Sequence, residues 1–258
     1  LVLMLGLAVL AYTFVPIAVV VLMSFNAPAS RNVYQFDGFT LDNWLNPCAP
    51  EGMCSAVGRS IEIGLLSTLV ATILGTLAAF ALVRHDFVGR SSSNLLIFLP
   101  MASPEIVMGS SLLALFVASG LGGQLGFWTI FVAHVMFCLS FVIVTVRSRL
   151  AGMDDNLEQA AMDLYATPQQ TFWRVTFPLV FPGILGAALL SFSLSFDDFI
   201  ITNLNAGTTT TFPMFVWGAA QRGVPMQVNV VGTVMFVISV LIVVTGEVNS
   251  RRRQRALA

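Results

Sequence analysis

Three carboxylates stand where carboxylates are rare. Glu105 lies in LPMASPEIVMGSS, just after Pro100 and Pro104, and Asp197 and Asp198 are neighbours in SLSFDDFIITN. Each is set within a long apolar run. An ionised group inside a bilayer is costly, and its usual work is to pair, to line a wet cavity or to handle a charged solute. Several acids with few cations beside them suit a cationic passenger, and the rings of Phe212, Phe215 and Trp217 offer cation–π faces. Plainer readings stand beside these. Glu105 reads equally as a cap on a helix starting after Pro104, the Asp pair as hydrated acids near the headgroups, and the aromatic residues as an interfacial belt.

Neighbouring positions on a helix point ~100° apart, so Asp197 and Asp198 cannot face one point unless the helix unwinds. The division expected is one carboxylate towards a pathway and one towards a helix end or an Arg. Other chemistry finds no support. All 12 basic residues are Arg, and without Lys an ordinary Walker A loop cannot form, so the chain is not its own ATPase. His85, His134 and the three Cys match no zinc signature, and no Ser/His/Asp set or nucleic-acid motif can be assembled. No catalytic, metal or cofactor site is therefore expected on this chain.

The elements that must position these acids follow from composition. The 258 residues are 57% hydrophobic and 10% charged, against about a quarter charged in soluble domains. This is the signature of an all-α polytopic membrane protein, read as a single transmembrane domain over 1–258. About 20 apolar residues span the hydrocarbon core. Six stretches qualify: Val2–Phe25, Ser60–Val83, Leu95–Ala118, Leu125–Val146, Phe181–Asn203 and Val228–Val248. Pro100 and Pro104 should break the third, and Glu62 sits near the outer end of the second. The first run has no basic leader or cleavage site, so it is read as a span whose native N-terminal flank precedes the sequence given.

Nine of the twelve Arg fall after even-numbered spans: Arg84 and Arg90; Arg147, Arg149 and Arg174; and Arg251, Arg252, Arg253 and Arg255. Arg31, Arg59 and Arg222 fall on the other side. The positive-inside rule puts both termini, the 249–258 basic tail and the 150–180 segment in the cytoplasm, and the 26–59 loop outside. Within that loop, FDGFTLDNW is expected to lie at the interface on Phe39 and Trp44. Cys48 and Cys54, on the oxidising side, read as a disulfide or as two free thiols. Small residues recur four apart at Ser67, Ala71, Gly75 and Ala79, and at Gly183, Ala187, Ser191 and Ser195. Such stripes let helices approach closely, within the chain, at a subunit interface or along a translocation path.

Between spans four and five, LEQAAMDLYATPQQTFWRVTFPLVFPGI forms a polar hairpin. Leu157, Ala160, Ala161 and Leu164 share one helical face, with Glu158, Gln159 and Asp163 on the others. Ala166-Thr167-Pro168 breaks that helix, and Thr167 caps a second one with Pro168 at its first position, holding Phe172, Trp173 and Val175. Pro178 and Pro182 end the polar region.

Glu158-Gln159-Ala160-Ala161-Met162-Asp163-Leu164, with Phe172, Val175, Pro178-Leu179 and Pro182-Gly183-Ile184, resembles the EAA loop of binding-protein-dependent ABC importer permeases. That resemblance implies a coupling helix seated in a groove of an ATPase subunit, with Glu158, Ala160, Ala161, Asp163, Tyr165, Ala166 and Phe172 at the contact. Tyr165 departs from it: the family usually has Gly there, so a different turn, or a side chain packed on the ATPase, is expected. Pro16-Ile17 through Ser24-Phe25-Asn26, Pro104-Glu105-Ile106-Val107-Met108-Gly109, and Ser195-Phe196-Asp197-Asp198-Phe199 through Phe212-Pro213-Met214 and Trp217 resemble the spermidine/putrescine permeases of that family. The Cys48–Cys54 insert is not a feature expected of them.

The resemblance implies a homologous second permease, two ATPase subunits carrying ATP and Mg, and an extracytoplasmic binding protein. Two rivals remain. One is the same machine moving an anion or a metal chelate. The other is a proton- or Na⁺-coupled carrier using Glu105, Asp197 and Asp198, although such carriers commonly show inverted repeats and none is visible here.

Overall fold

A computed structural model describes residues 2–29, 35–154 and 156–257, with the backbone alone for 247–257. Arg31 and the side chains of Arg251, Arg252, Arg253 and Arg255 lie outside the described residues. The described chain is helical, and its one β feature is an isolated bridge between Asn26 and Phe39. In order, the helices are α1 (Val2–Met23), α2 (Asp42–Leu45), α3 (Met53–Arg84), α4 (Arg90–Ala102), α5 (Glu105–Ala118), α6 (Phe127–Ala151), α7 (Asn156–Asp163), α8 (Pro168–Thr171), α9 (Phe177–Asp197), α10 (Ile200–Asn205), α11 (Phe212–Ala220) and α12 (Met226–Leu257). A π-helical turn, Phe172–Thr176, joins α8 to α9.

Among the described residues, five helices are long and apolar enough to cross a bilayer, and α4 with α5, bent by 109° at their break, pass the same test only as a pair, the form of a broken span or a re-entrant loop. The bend falls at Ser103-Pro104, where both residues are extended and Pro104 has no N–H to continue the ladder. The fifth span differs from expectation at both ends. Pro178 and Pro182 do not separate it from the hairpin: α8, the π turn and α9 run on as one 30-residue helix, Pro168–Asp197. The π turn opens the backbone just ahead of Pro178, at the carbonyls a proline cannot bond. At its far end this helix stops at Asp197, and α10 begins at Ile200 after a two-residue break.

The chain divides into two compact units, Leu1–Cys54 with Phe215–Ala258, and Ser55–Met214. In the first, α1 packs on α12, with Phe14 edge-on to Phe236 at 6.4 Å. The segment after α1 is tied down by side chains. Asn26 donates to the Gln35 carbonyl and accepts from the Asp37 N–H, while Asn43 donates to the carbonyls of Ser24 and Asn26. Phe25 is stacked against both Phe39 and Trp44 at 5.4 Å. Cys48 and Cys54 are joined as a disulfide across a Cα separation of 5.4 Å.

In the second unit, α6 is the central post, with α9, α4 and α10 packed against it. The two small-residue stripes meet neighbours within this chain. Ala71 and Ala79 are fully buried, and a Cβ on Gly75 would come 2.6 Å from Val142 Cγ1 of α6, so only glycine permits that approach. Ala187, Ser191 and Ser195 are likewise buried on α9, which packs on the same post. Across α5 and α10, Gly109 plays the matching part: its Cβ would sit 2.8 Å from Leu204 Cδ1, and its carbonyl accepts from Asn205 Nδ2.

Candidate functional site

The two chain breaks carry the three acids. Glu105 opens α5 in its first turn, where the exposed N–H groups favour a negative charge, and it is exposed. Asp197 closes α9 and is also exposed. Because the chain turns extended at Asp198 (φ −64°, ψ 127°), the next carboxylate swings the other way, into the protein. There Asp198 accepts from the Thr202 N–H at 2.7 Å and the Thr202 hydroxyl at 2.8 Å, with the Ile201 N–H at 3.4 Å. Oδ2 also lies 3.3 Å from His134 Nε2, both side chains being 2% exposed.

Asp198 therefore leaves the set of residues able to meet a passenger. It is a buried cap on α10, and desolvating it is tolerable because its oxygens are filled by donors. Glu105 and Asp197 remain on the surface, with Glu105 within electrostatic reach of both aspartates. Phe212 stays close to the second break: its ring lies 6.1 Å from that of Phe196, the residue before Asp197, and its N–H donates to Ser60 Oγ. Trp217 belongs to the other unit, where it is exposed. Glu62, also exposed, pairs with Arg59 at 3.5 Å.

His134 is the residue that sequence reasoning passed over. It is 1% exposed in the middle of α6, with Nδ1 2.6 Å from Ser195 Oγ and Nε2 2.9 Å from Thr202 Oγ1. Thr202 donates to Asp198, so the consistent assignment has Nε2–H donating to Thr202 and Nδ1 accepting from Ser195. Ser195 Oγ is in turn 3.0 Å from Ser67 Oγ; with the Ser195 proton given to His134, Ser67 is the donor here, and the Ile63 carbonyl is its alternative acceptor. This closed chain of polar groups ties α3, α6, α9 and α10 around the second break. The signal was present as Ser195, Asp198 and Thr202 at spacings of three and four, opposite a lone histidine in an apolar span.

The hairpin forms the second region. Asp154 caps α7 through the Asn156 N–H. The C-terminal end closes with Ala166 N–H to the Ala161 carbonyl and Tyr165 N–H to the Met162 carbonyl. That pair of bonds needs a left-handed residue between them, usually glycine. Tyr165 supplies it, at φ 63°. So the turn is of the kind glycine makes, and the different turn expected from Tyr165 is not adopted. Thr167 and Gln170 exchange side-chain and backbone hydrogen bonds to cap α8, with Pro168 at its first position.

Most of α7 is exposed, at apolar and polar positions alike. Leu157, Met162 and Leu164 are exposed, Leu164 at 82% and the adjoining Tyr165 at 96%, and so are Ala160 and Asp163. Ala161, Ala166 and Phe172 are half-buried. It is Glu158 that turns inward, because its partners are there: Oε1 accepts from Arg84 Nη2 at 2.7 Å and from Thr176 Oγ1 at 2.6 Å. Phe172 reaches Phe80 of α3 at 5.6 Å. Between α3 and the hairpin lies a cavity of about 800 Å³, walled by Thr72, Thr76, Phe80, Arg84, Glu158 and Thr171 among others.

A helical membrane unit with broken spans and a two-helix appendage continuous with one of them is the architecture of a transporter subunit. The chain belongs to the family of binding-protein-dependent transport system inner membrane components, whose model matches residues 71–250. It is 34% identical over 249 residues to the spermidine/putrescine transport system permease protein PotC of Escherichia coli K12, covering 96% of this chain and 93% of that one. It is 35% identical over 245 residues to the PotC of Haemophilus influenzae, covering 95% and 94%. With the putrescine transport system permease protein PotI of Escherichia coli K12 it shares 38% over 234 residues, covering 88% and 83%.

Solved structures share the fold at lower identity. A bacterial ABC transporter involved in the import of the acidic polysaccharide alginate superposes with a TM-score of 0.64 at 17% identity, over 95% of this chain and 94% of that one. The MetNI methionine ABC transporter in an inward-facing conformation gives 0.57 at 16% identity, over 76% and 95%. As a member of this family the chain is the multi-pass membrane component of its system, and ATP hydrolysis belongs to separate subunits.

Proposed function

We propose that this chain is one permease half of an ATP-driven, binding-protein-dependent importer of polyamines such as spermidine and putrescine. The observation that carries the reading is the pair of exposed carboxylates, Glu105 and Asp197, each at the end of a half-helix, with the Phe196–Phe212 ring pair adjoining Asp197. A polyamine is a chain of methylenes punctuated by ammonium groups. Spaced acids answer its charges, and aromatic faces answer both charges and methylenes. The relatives named for spermidine and putrescine transport support the same cargo.

The remaining parts follow from the same machine. The Arg-rich side, with the 150–180 hairpin, the 249–258 tail and both termini, faces the cytoplasm of the bacterial inner membrane. Exposed Leu157, Met162, Leu164 and Tyr165 meet an ATPase subunit, and ATP and Mg²⁺ bind on a pair of such subunits rather than here. The 26–59 loop, with its disulfide and its Phe25–Phe39–Trp44 stack, faces the binding protein. A homologous permease supplies the other wall of the path. Nucleotide-driven closure of the ATPases then switches the spans between inward-open and outward-open states.

The test is uptake of labelled spermidine by liposomes holding the full transporter. Transport should require internal ATP and the binding protein, and should persist with a protonophore. Uptake abolished by the protonophore but indifferent to ATP depletion would identify a proton-coupled carrier instead. Uptake of an anion in place of spermidine would exclude the cargo while leaving the machine.

A further inference from the structure

The cavity between α3 and the hairpin is polarised from end to end. Of the side chains on its wall, three are ionisable, Arg84, His85 and Glu158, and they gather at one end. Arg84 is the last residue of α3, and His85 follows it. Glu158 accepts from Arg84 Nη2 at 2.7 Å and from Thr176 Oγ1 at 2.6 Å. Away from this end the wall turns to carbon. It runs back along α3 through Leu77 and Ile73 to Thr72, and along α9 to Ile184. Thr72 and Thr76 have their hydroxyls hidden from solvent, so they too add carbon to the wall.

Dimensions narrow the choice of occupant. From Thr72 to His85 is 13 residues, or about 20 Å at helical rise. That is the depth of one leaflet, half of the roughly 40–45 Å of a bilayer with its headgroups. Spread over that length, a volume of about 800 Å³ leaves a mean cross-section of ~40 Å². A helix with its side chains is about 10–12 Å across and needs roughly twice that area. A helix of another subunit can lie against the opening without filling it, whereas extended hydrocarbon chains fit. The cavity does open at the surface, because Ile73, Leu77 and Trp173 on its wall are exposed. Trp173, three residues from Thr176 and the charged end, stands where indoles favour the headgroup level.

We propose that this cavity binds one phospholipid of the leaflet on the hairpin side, with a zwitterionic ethanolamine headgroup. The acyl chains lie along Ile73 and Leu77 of α3 and Ile184 of α9. The phosphate meets N–H donors of Arg84 and His85, and the ammonium meets Glu158. Both bonds that Glu158 accepts fall on Oε1, so Oε2 is the atom offered to the ammonium. Lipid tails are as apolar as the wall, so selectivity lies in the headgroup. Charges of both signs at the mouth match a zwitterion, while an anionic headgroup would bring a second negative charge to Glu158 without an ammonium to offset it.

The experiment is native mass spectrometry of the intact transporter, released from nanodiscs of equal phosphatidylethanolamine and phosphatidylglycerol. Each copy of this chain should retain one phosphatidylethanolamine, preferred about tenfold over phosphatidylglycerol, the worth of one charge-assisted hydrogen bond. Leu77→Trp fills the cavity from an exposed position and should shed the lipid. Leu74→Trp, exposed on the same helix but off the cavity wall, should keep it. His85→Glu sets an exposed carboxylate against the phosphate and should lower retention about tenfold.

No retained phospholipid, or phosphatidylglycerol held as well as phosphatidylethanolamine, would overturn the proposal. Equal loss from Leu74→Trp and Leu77→Trp would do the same, since the lipid would then sit on the outside of α3. So would cross-linking of Leu77→Cys to another subunit, because protein would then occupy the space. Subunit ratios in the same spectra show which variants assemble, and the wild-type headgroup preference decides the matter if Leu77→Trp does not.

Discussion

Nε2 of His134 lies 3.3 Å from Oδ2 of Asp198, in a setting where both side chains are almost completely hidden from solvent. The adjacent carboxylate, Asp197, is exposed. One peptide bond thus divides a structural acid from an accessible one. The division depends on the helix ending at Asp197 and on the Ser67–Ser195–His134–Thr202 chain holding that end in place.

The two acids should therefore separate by phenotype. Replacing His134 by Ala leaves the Ser195 and Thr202 hydroxyls each short of a buried partner, and an unsatisfied buried polar group costs about 1–3 kcal/mol. The purified subunit should unfold at a markedly lower temperature by thermal-shift fluorescence, and membrane levels should drop. An unchanged melting temperature would show that the network carries no stability.

Asp197→Asn and Glu105→Gln should leave the melting temperature within error, since exposed substitutions usually change stability by less than about 0.5 kcal/mol. Each should raise the spermidine concentration for half-maximal uptake about tenfold while basal ATP hydrolysis is retained, corresponding to ~1.4 kcal/mol of binding. Equal loss of uptake and hydrolysis would mark both residues as structural.

Gly75→Val tests the close approach of α3 and α6. A side chain there collides with Val142, and overpacking of this sort costs about 1–3 kcal/mol. Thermal unfolding should shift down, and Val142→Ala in the same chain should recover part of the shift. Gly58, where a Cβ meets nothing within 4 Å, is the control position.

Tyr165→Gly should be tolerated by the fold. A non-glycine residue in the left-handed region costs roughly 1–2 kcal/mol, so the glycine variant relieves strain at the end of α7. Under the docking reading it also deletes the most exposed ring of the hairpin, and ATPase co-purification should weaken. Unchanged ATPase binding would remove Tyr165 from the contact.

The Cys48–Cys54 bond closes a short loop, with a separation of 6 in sequence. By loop-closure entropy it should contribute about 2 kcal/mol locally. Replacing both by Ser should speed proteolysis in 26–59 of the intact transporter. Identical cleavage kinetics would show that the Asn26 and Asn43 hydrogen bonds already hold the loop.

What the sequence determined by itself was the solvent of each segment and the family. Runs of about 20 apolar residues have one stable state in lipid, a helix, so the spans were legible from hydropathy. Pro104 marked the break in the third span because a missing N–H acts locally, whereas Pro100, expected to break it too, is carried inside α4. The Leu157–Ile184 segment was legible as a capped hairpin for the same reason: Thr167, Pro168 and Gln170 decide their geometry among themselves.

Tertiary structure decided the direction in which each side chain points. Glu158 faces inward, against the amphipathic pattern of α7, because Arg84 and Thr176 stand 74 and 18 residues away in sequence and a few ångströms away in space. The aspartates part company because His134, Ser195 and Thr202 converge from separate helices on one carboxylate. The small stripes became intrachain contacts once α6 lay against them. Periodicity reports a face, but what waits opposite that face is long-range information. A charged group goes where its partners are, since an unpartnered one is the costlier alternative in a low-dielectric interior.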